Sequence, residues 1–385
     1  MTDGTSRAVP GVLAYQDVKA AVRRGWLGSA MPLEERQFQP ASLDLRLGLV
    51  AYQLRASFLP FRKTIRERLD RRQIDFTEPE LVIDTIPLEH GATLQRDVVY
   101  LCELLEFLDL PPGIRGRSNP KSTTGRLDIF TRIVTDATPR FDEIEPGYRG
   151  PLFVEISPRS FPIRVQTGVS LSQLRLIRGD SAMSDDEVRQ VYAREPLLYD
   201  DEEQPVAADD AIRDGGLCMG VDLSGRKTDG IIGYRAHANP QAVDLNRIDF
   251  YDPLEFWEPI RARNRDAYIL EANRFHILVS KERIRVPPAL AAEMSVYDVS
   301  AGEIRTHYAG FFDPGFGFGD GGMLGTKVVM EVRAREVPVI LYDGQTLFTV
   351  RLERLTRRPE RIYGADLGSS YQHQTLTLSK HFKRR

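Results

Sequence analysis

The chain has 385 residues, a formal net charge of −3, 42% hydrophobic residues and 28% charged residues. That length suits two or three domains with full apolar cores, and the charge excludes any global attraction for nucleic acid or a membrane surface; a polyanion partner needs a local site. The two cysteines, Cys102 and Cys218, lie far apart in sequence, and no basic-then-apolar leader or membrane-length run is present. The expectation is a soluble, cytoplasmic chain without a disulfide framework.

In chain order, Ala14 to Trp26 has helical apolar spacing, closed by Gly25 and Gly28. Gln39 to Gly48 alternates apolar and polar residues as a half-buried strand does, and Val50 to Arg55 continues it. The charged stretch Arg62 to Arg72 reads as a helix or solvated loop. Strands follow at Leu81 to Asp84, Val98 to Leu101 and Leu104 to Leu110, ending at Pro111-Pro112-Gly113. Next, Ile114 to Arg126 reads as a polar loop rich in cations and hydroxyls. Arg115, Arg117, Lys121 and Arg126 with Ser118, Ser122 and Thr123 can surround a phosphate chain, although the P-loop order is absent and a plain solvated basic loop fits equally well.

A strand and turn from Gly150 to Gly168 carries one carboxylate, Glu155, among apolar neighbours. Val328 to Gly344 repeats the frame around Glu331: in both, a proline follows seven residues on and a glycine six after that. Other landmarks recur in the same order. Gly220 to Gly225 echoes Ser42 to Leu45, Pro287-Pro288 echoes Pro111-Pro112, and Asp313-Pro-Gly-Phe316 echoes Glu145-Pro-Gly-Tyr148. The reading is therefore two tandem all-β domains with minor helices, residues 1–178 and 215–385, joined by an acidic linker over 179–214 that holds a short helix near Asp185 to Ala193. The copies are unequal. The first has the Arg-Ser stretch, and the second has the compact turn from Thr306 through Ala309 to Asp313.

A carboxylate such as Glu155 or Glu331 is either a salt-bridge partner or a general base whose pKa apolar neighbours raise. Zinc deaminase and zincin motifs and the serine-nucleophile elbow are all missing, so the expected chemistry is a protein-held water with a carboxylate and no zinc. The C-terminal stretch Tyr363 to Gln374, rich in glycine, aromatics and amides, suits a segment closing over a ligand or a frayed end.

Together, Gln39-Pro-Ala-Ser-Leu-Asp-Leu-Arg-Leu-Gly48, Gly116-Arg-Ser118, the Pro-Gly-aromatic turn, the Glu strand and the Tyr-x-x-Gln tail resemble the dCTP deaminase branch of the dUTPase-like superfamily, here in two copies. The resemblance implies distorted β-clip, jelly-roll-like barrels, a homotrimer with sites between subunits, and conversion of dCTP to dUTP and ammonia, with Mg2+ carried on the triphosphate and dTTP as a possible inhibitor. It matches the catalytic glutamate to Glu155 and Glu331, and the Arg-Ser pair to Arg117 and Ser118 with Asn119 following. The next cation falls to Lys121 or Arg126, with Ser122 among the nucleotide contacts. Ala309 matches the residue whose backbone holds base and water, while Tyr363, Tyr371 and Gln374 match triphosphate contacts. The uneven copies suggest one composite site, with the first copy's cations facing Ala309 and Glu331 and with Glu155 a relic. Two alternatives stay open: a dUTP diphosphatase or bifunctional, dUMP-producing enzyme using Asp313 as base, and a non-catalytic nucleotide-binding regulator.

Overall fold

The computed structural model describes residues 9–61, 63–70, 80–136, 138–213, 215–238, 240–262, 266–295, 304–306, 310–318, 324–364, 371 and 374–384. Ala309 lies outside the described residues. The first half is built on one antiparallel path of strands, in the order Ile129–Val134, Arg149–Pro158, Val99–Asp109, Leu43–Leu54, Ser170–Arg178, Ile114–Pro120 and Glu143–Ile144. The second half has two larger sheets beside a two-stranded pairing of Ala267–Leu270 with Val339–Tyr342. One runs Trp257–Arg261, Ile231–Ala236, Phe275–Ile284, Thr326–Ala334 and Ile304–Thr306, and the other centres on Thr346–Arg354 between Gly216–Gly220 and Leu290–Ser295. The all-β expectation with minor helices holds.

The repeat is visible in register. Glu155 stands opposite Leu101 and Glu331 opposite Ile277, each partner being the third residue of its strand. Both of those strands follow a turn residue held at φ 60°, Asp97 in one copy and Asn273 in the other, a conformation that short polar side chains tolerate.

The halves are fused. Ile163–Val165 pairs in parallel with Val243–Asp244 of the other half, and one continuous core takes Leu43, Val154 and Phe161 from the first half with Trp257, Phe275 and Phe382 from the second. Phe161, Phe256, Trp257 and Phe382 meet edge to face, the arrangement ring quadrupoles favour.

Two local expectations differ from the structure. The Ile114 to Arg126 loop is a strand, Ile114–Pro120, followed by a helical turn at Ser122–Gly125. Its buried face is filled by Gly116, Ser118 and Pro120, small residues that hide the alternation a strand normally shows. The acidic stretch is no loose tether either. Ser184 and Glu187 cap the Asp185–Arg194 helix reciprocally, its acids crowd the first turn where the helix dipole favours them, and Val188 and Tyr192 sink into the second half's core. Leu198–Tyr199 then pairs with Ile284 and Arg283.

Phe382 is almost fully buried against Phe256 and Trp257, the rings that also meet Phe161 of the first half. Phe382→Ala is expected to lower unfolding free energy by about 3 kcal/mol. Urea denaturation followed by tryptophan fluorescence measures this, and a loss below about 1 kcal/mol would mean the terminal ring is not a core member.

Candidate active site

One cleft draws its wall from both halves. The first half contributes Lys121, Ser122 and Arg126 from the helical turn; the second contributes Asp313, Glu331 and the aromatic tail. Positioning follows from local folding. The strand ending at Pro120 delivers Lys121 as the residue before the Ser122–Gly125 turn, whose backbone N–H groups bond back to Lys121 and Ser122 carbonyls. Arg126 therefore leaves the turn directed at the other half.

Arg126 is 3% exposed. Its guanidinium donates to Gln374 Oε1 at 2.6 Å and to the Thr377 carbonyl at 2.9 Å, and lies 3.7 Å from the centre of the Tyr371 ring. Its buried Nε–H has no acceptor among the described residues. The tail is itself fixed: Gln374 Nε2 donates to the Lys327 carbonyl, Tyr371 N–H to the Tyr363 hydroxyl, and Ser379 Oγ to the Thr123 carbonyl. Lys121 pairs with Asp44 of the Leu43–Leu54 strand.

Glu331 is buried on the Thr326–Ala334 strand with Val328, Val329, Met294 and Phe316 contributing apolar wall. Burial pushes its carboxyl up to about 8, against the opposing pull of the Arg126 charge and its own backbone N–H. Asp313 is pushed up to about 6, again by burial, with Arg175 pulling it down and Asp44 pushing it up. Arg175, fully buried, reaches across from the first half. It donates to the Ala292 and Phe312 carbonyls and pairs with Glu353 at 2.8 Å, so it fixes the Asp313 wall. Burial also raises the Tyr363 and Tyr371 phenols, keeping both as neutral donors.

The structure brings Lys121, Ser122, Arg126, Asp313, Glu331, Tyr363, Tyr371 and Gln374 together. Among the described residues it does not bring in Ser118, Arg117, Asn119 or Glu155. Ser118 is fully buried in its sheet and donates to the Gln173 carbonyl at 3.0 Å; Ser122 is the hydroxyl that lines the cleft. Arg117 and Asn119 both bind Glu293, at 2.5 and 2.9 Å, bracing the strand that carries Met294. Glu155 is held by Arg132 at 2.5 Å, whose guanidinium lies 3.5 Å from the Phe141 ring centre, well apart from the cleft wall. Sequence reasoning did not single out Asp44, Arg175 or Glu293 as site residues. Asp44 sat inside the Gln39–Gly48 stretch, but nothing local distinguished a carboxylate whose partner is in a distant strand.

Comparison with known proteins agrees with this geometry. Residues 9–180 match the model of the 2'-deoxycytidine 5'-triphosphate deaminase N-terminal domain, and residues 184–382 match the C-terminal domain of the same family. A Rhodococcus opacus protein named "dCTP deaminase, dUMP-forming" is 31% identical over 173 residues, spanning 44% of this chain and 82% of that protein. A Mycobacterium tuberculosis protein of the same name is 29% identical over 170 residues, 43% of this chain and 80% of that one. The crystal structure of 2'-deoxycytidine 5'-triphosphate deaminase from Agrobacterium tumefaciens superposes with a TM-score of 0.82 at 42% identity, covering 90% of this chain and 99% of that one. With two distorted barrels in tandem and both halves matched end to end, this chain belongs to the dCTP deaminase family, hydrolases that act on the cytosine C–N bond.

Proposed function

We propose that the chain deaminates dCTP to dUTP and ammonia at the single composite cleft, with Glu331 as the proton-transfer residue. The observation that carries this reading is Glu331 itself: a carboxyl raised to about 8 in an apolar wall, facing a cation and a hydroxyl from the other half. A general base with a pKa near working pH takes a proton readily and returns it readily. Glu331 removes a proton from water as the water oxygen bonds to C4 of the base. The same carboxyl delivers that proton to N3, then takes the proton of the new C4 hydroxyl and passes it to the exocyclic amine, so that the C4 carbonyl forms as the C4–N bond breaks and ammonia leaves. Ser122 and Arg126 hold the water and the developing charge. Lys121, Tyr363, Tyr371 and Gln374 serve the triphosphate, and the unspent Nε–H of Arg126 finds its acceptor there.

Among the described residues no three His, Cys, Asp or Glu side chains cluster as a metal site. The cleft's carboxylates are Glu331 and Asp313, one needed for proton transfer and one beside Arg175, so they do not suit a hard dication. Mg2+ is accordingly assigned to the phosphate oxygens of the incoming nucleotide, and dTTP, with the same phosphate chain, to the role of competitor. No helix among the described residues is long and apolar enough to cross a membrane. A cytoplasmic homotrimer of tandem chains is our reading of the assembly, although every described cleft residue comes from one chain.

A second reading keeps deamination and adds hydrolysis of dUTP to dUMP and pyrophosphate. Asp313 in the cleft wall, with its carboxyl pushed up to about 6, favours it, as do the names of the relatives.

Three outcomes are expected. Glu331→Gln should lower kcat for dCTP by at least about a hundredfold while leaving dCTP binding within a few fold, and Glu155→Gln should keep turnover; the reverse pattern would falsify the composite site. The base must be ionised, so kcat/KM should climb about tenfold per pH unit from roughly pH 6 and level off near 8, the point to which burial pushes Glu331. A limb that levels off near pH 5 would point to a different base. Finally, ammonia, dUTP and pyrophosphate followed in one reaction should show dUTP accumulating without pyrophosphate. Stoichiometric pyrophosphate, lost in Asp313→Asn with ammonia release kept, would establish the bifunctional enzyme instead.

A further inference from the structure

A second cleft, of about 450 Å³, opens where the two halves meet, and it is cationic. Its wall holds Arg96 and Arg159 of the first half, Arg274 and Arg333 of the second, with His237 and Asp97. The repeat builds it. The two turns at Asp97 and Asn273, equivalent in the copies and both at φ 60°, converge here, and each carries an arginine next to its turn residue.

The carboxylates that face these groups are few. Asp97 lies 3.0 Å from Arg159 and 3.9 Å from Arg96, and Asp128 sits beneath Arg333. Four guanidinium groups face Asp97 in the wall and Asp128 beneath Arg333, and Glu258, within electrostatic reach of Arg274 and His237, is already paired with Arg235, which leaves the cleft net positive. Much donor capacity also goes unused. Arg274 spends one side-chain bond on the Ala236 carbonyl at 3.2 Å, and the buried Nε–H groups of Arg274 and Arg333 have no acceptor among the described residues. Arg333 is oriented by the Asn273 carbonyl and Asp128, and Arg96 by the Ala238 carbonyl, so the forks are held in place before any ligand arrives. Guanidinium forks recognise phosphate in pairs, and a preordered cluster loses little rotamer entropy on binding.

We propose that this cleft is a second anion site, separate from the deamination cleft, which takes a compact polyanion: the phosphate chain shared by nucleoside triphosphates and inorganic polyphosphate. The cleft offers phosphate donors, while Phe275 is buried in the core with no face for a base, and the partly exposed ring in the wall is the imidazole of His237. The phosphate chain is thus the part recognised.

Calorimetric titration of the full chain with inorganic tripolyphosphate tests this. Wild type should show a class of sites that Arg96→Ala/Arg274→Ala weakens at least tenfold, while dCTP turnover and melting temperature stay close to wild type. If the double variant melts early, Arg96→Gln, at a partly exposed side chain, should still weaken that class severalfold. Tripolyphosphate binding unchanged in both variants overturns the proposal, whatever the chain does to dCTP. Repeating the titration with dTTP distinguishes the two sources. An equal loss of affinity for both ligands means the phosphate chain alone is read, and a variant-sensitive class tighter for dTTP means a nucleotide is the ligand.

Discussion

The buried guanidinium of Arg126 is the contact on which the rest of the cleft depends. A cation taken out of water needs its donors met and its charge balanced locally. This one is met by an amide oxygen, a carbonyl and an aromatic face, all from the last residues of the other half. The constraint runs both ways. The tail cannot leave without stranding Arg126, and the first half's helical turn cannot shift without losing the tail. Beside the shared core and the ion pairs of Arg175 and Arg117, the two halves thus share a polar cleft lined by Glu331.

The same logic explains why the duplicated glutamates differ. Both stand opposite the third residue of equivalent strands, so backbone position cannot separate them. Their neighbours do. Glu155 faces Arg132 of the adjacent strand in its own half, and Phe58, Ile65 and Phe141 close a small apolar cluster nearby that the second half has no counterpart for among the described residues. A carboxylate neutralised by a stacked arginine is stable and poorly placed for proton transfer. Among the described residues Glu331 has no such partner on its own sheet, and the counter-charge that pulls on it arrives from the other copy.

Much of this was legible from the sequence, and the failures have physical causes. The Glu-Pro-Gly frame, the paired prolines and the Pro-Gly-aromatic turn are backbone requirements, so they persisted in readable form. The Ile114–Pro120 strand was missed because glycine, serine and proline fill its buried face; Ser118, matched through the Arg-Ser pair, lies on that face, and Ser122 lines the cleft. The short helix expected near Asp185 to Ala193 is present at Asp185–Arg194; its acidic first turn hid that Val188 and Tyr192 fall on one face and bury it. Asp44, Arg175 and Glu293 act through partners far away in sequence or in the other half, which no local pattern encodes.

The dryness of the cleft and the strength of its proposed base are one property. Glu331 owes its raised pKa to burial, and part of that burial is the tail that Arg126 holds down. A looser tail would admit water, lower the pKa toward the ordinary carboxylate range and leave a weaker base at neutral pH. Closing the tail also brings the Arg126 charge nearer, which pulls the pKa the other way and keeps a usable fraction of Glu331 ionised. The opposed effects come from the same contact, so base strength in this fold is set by how well one half grips the end of the other. The copy holding Glu155 lacks that grip, and an arginine fills its place.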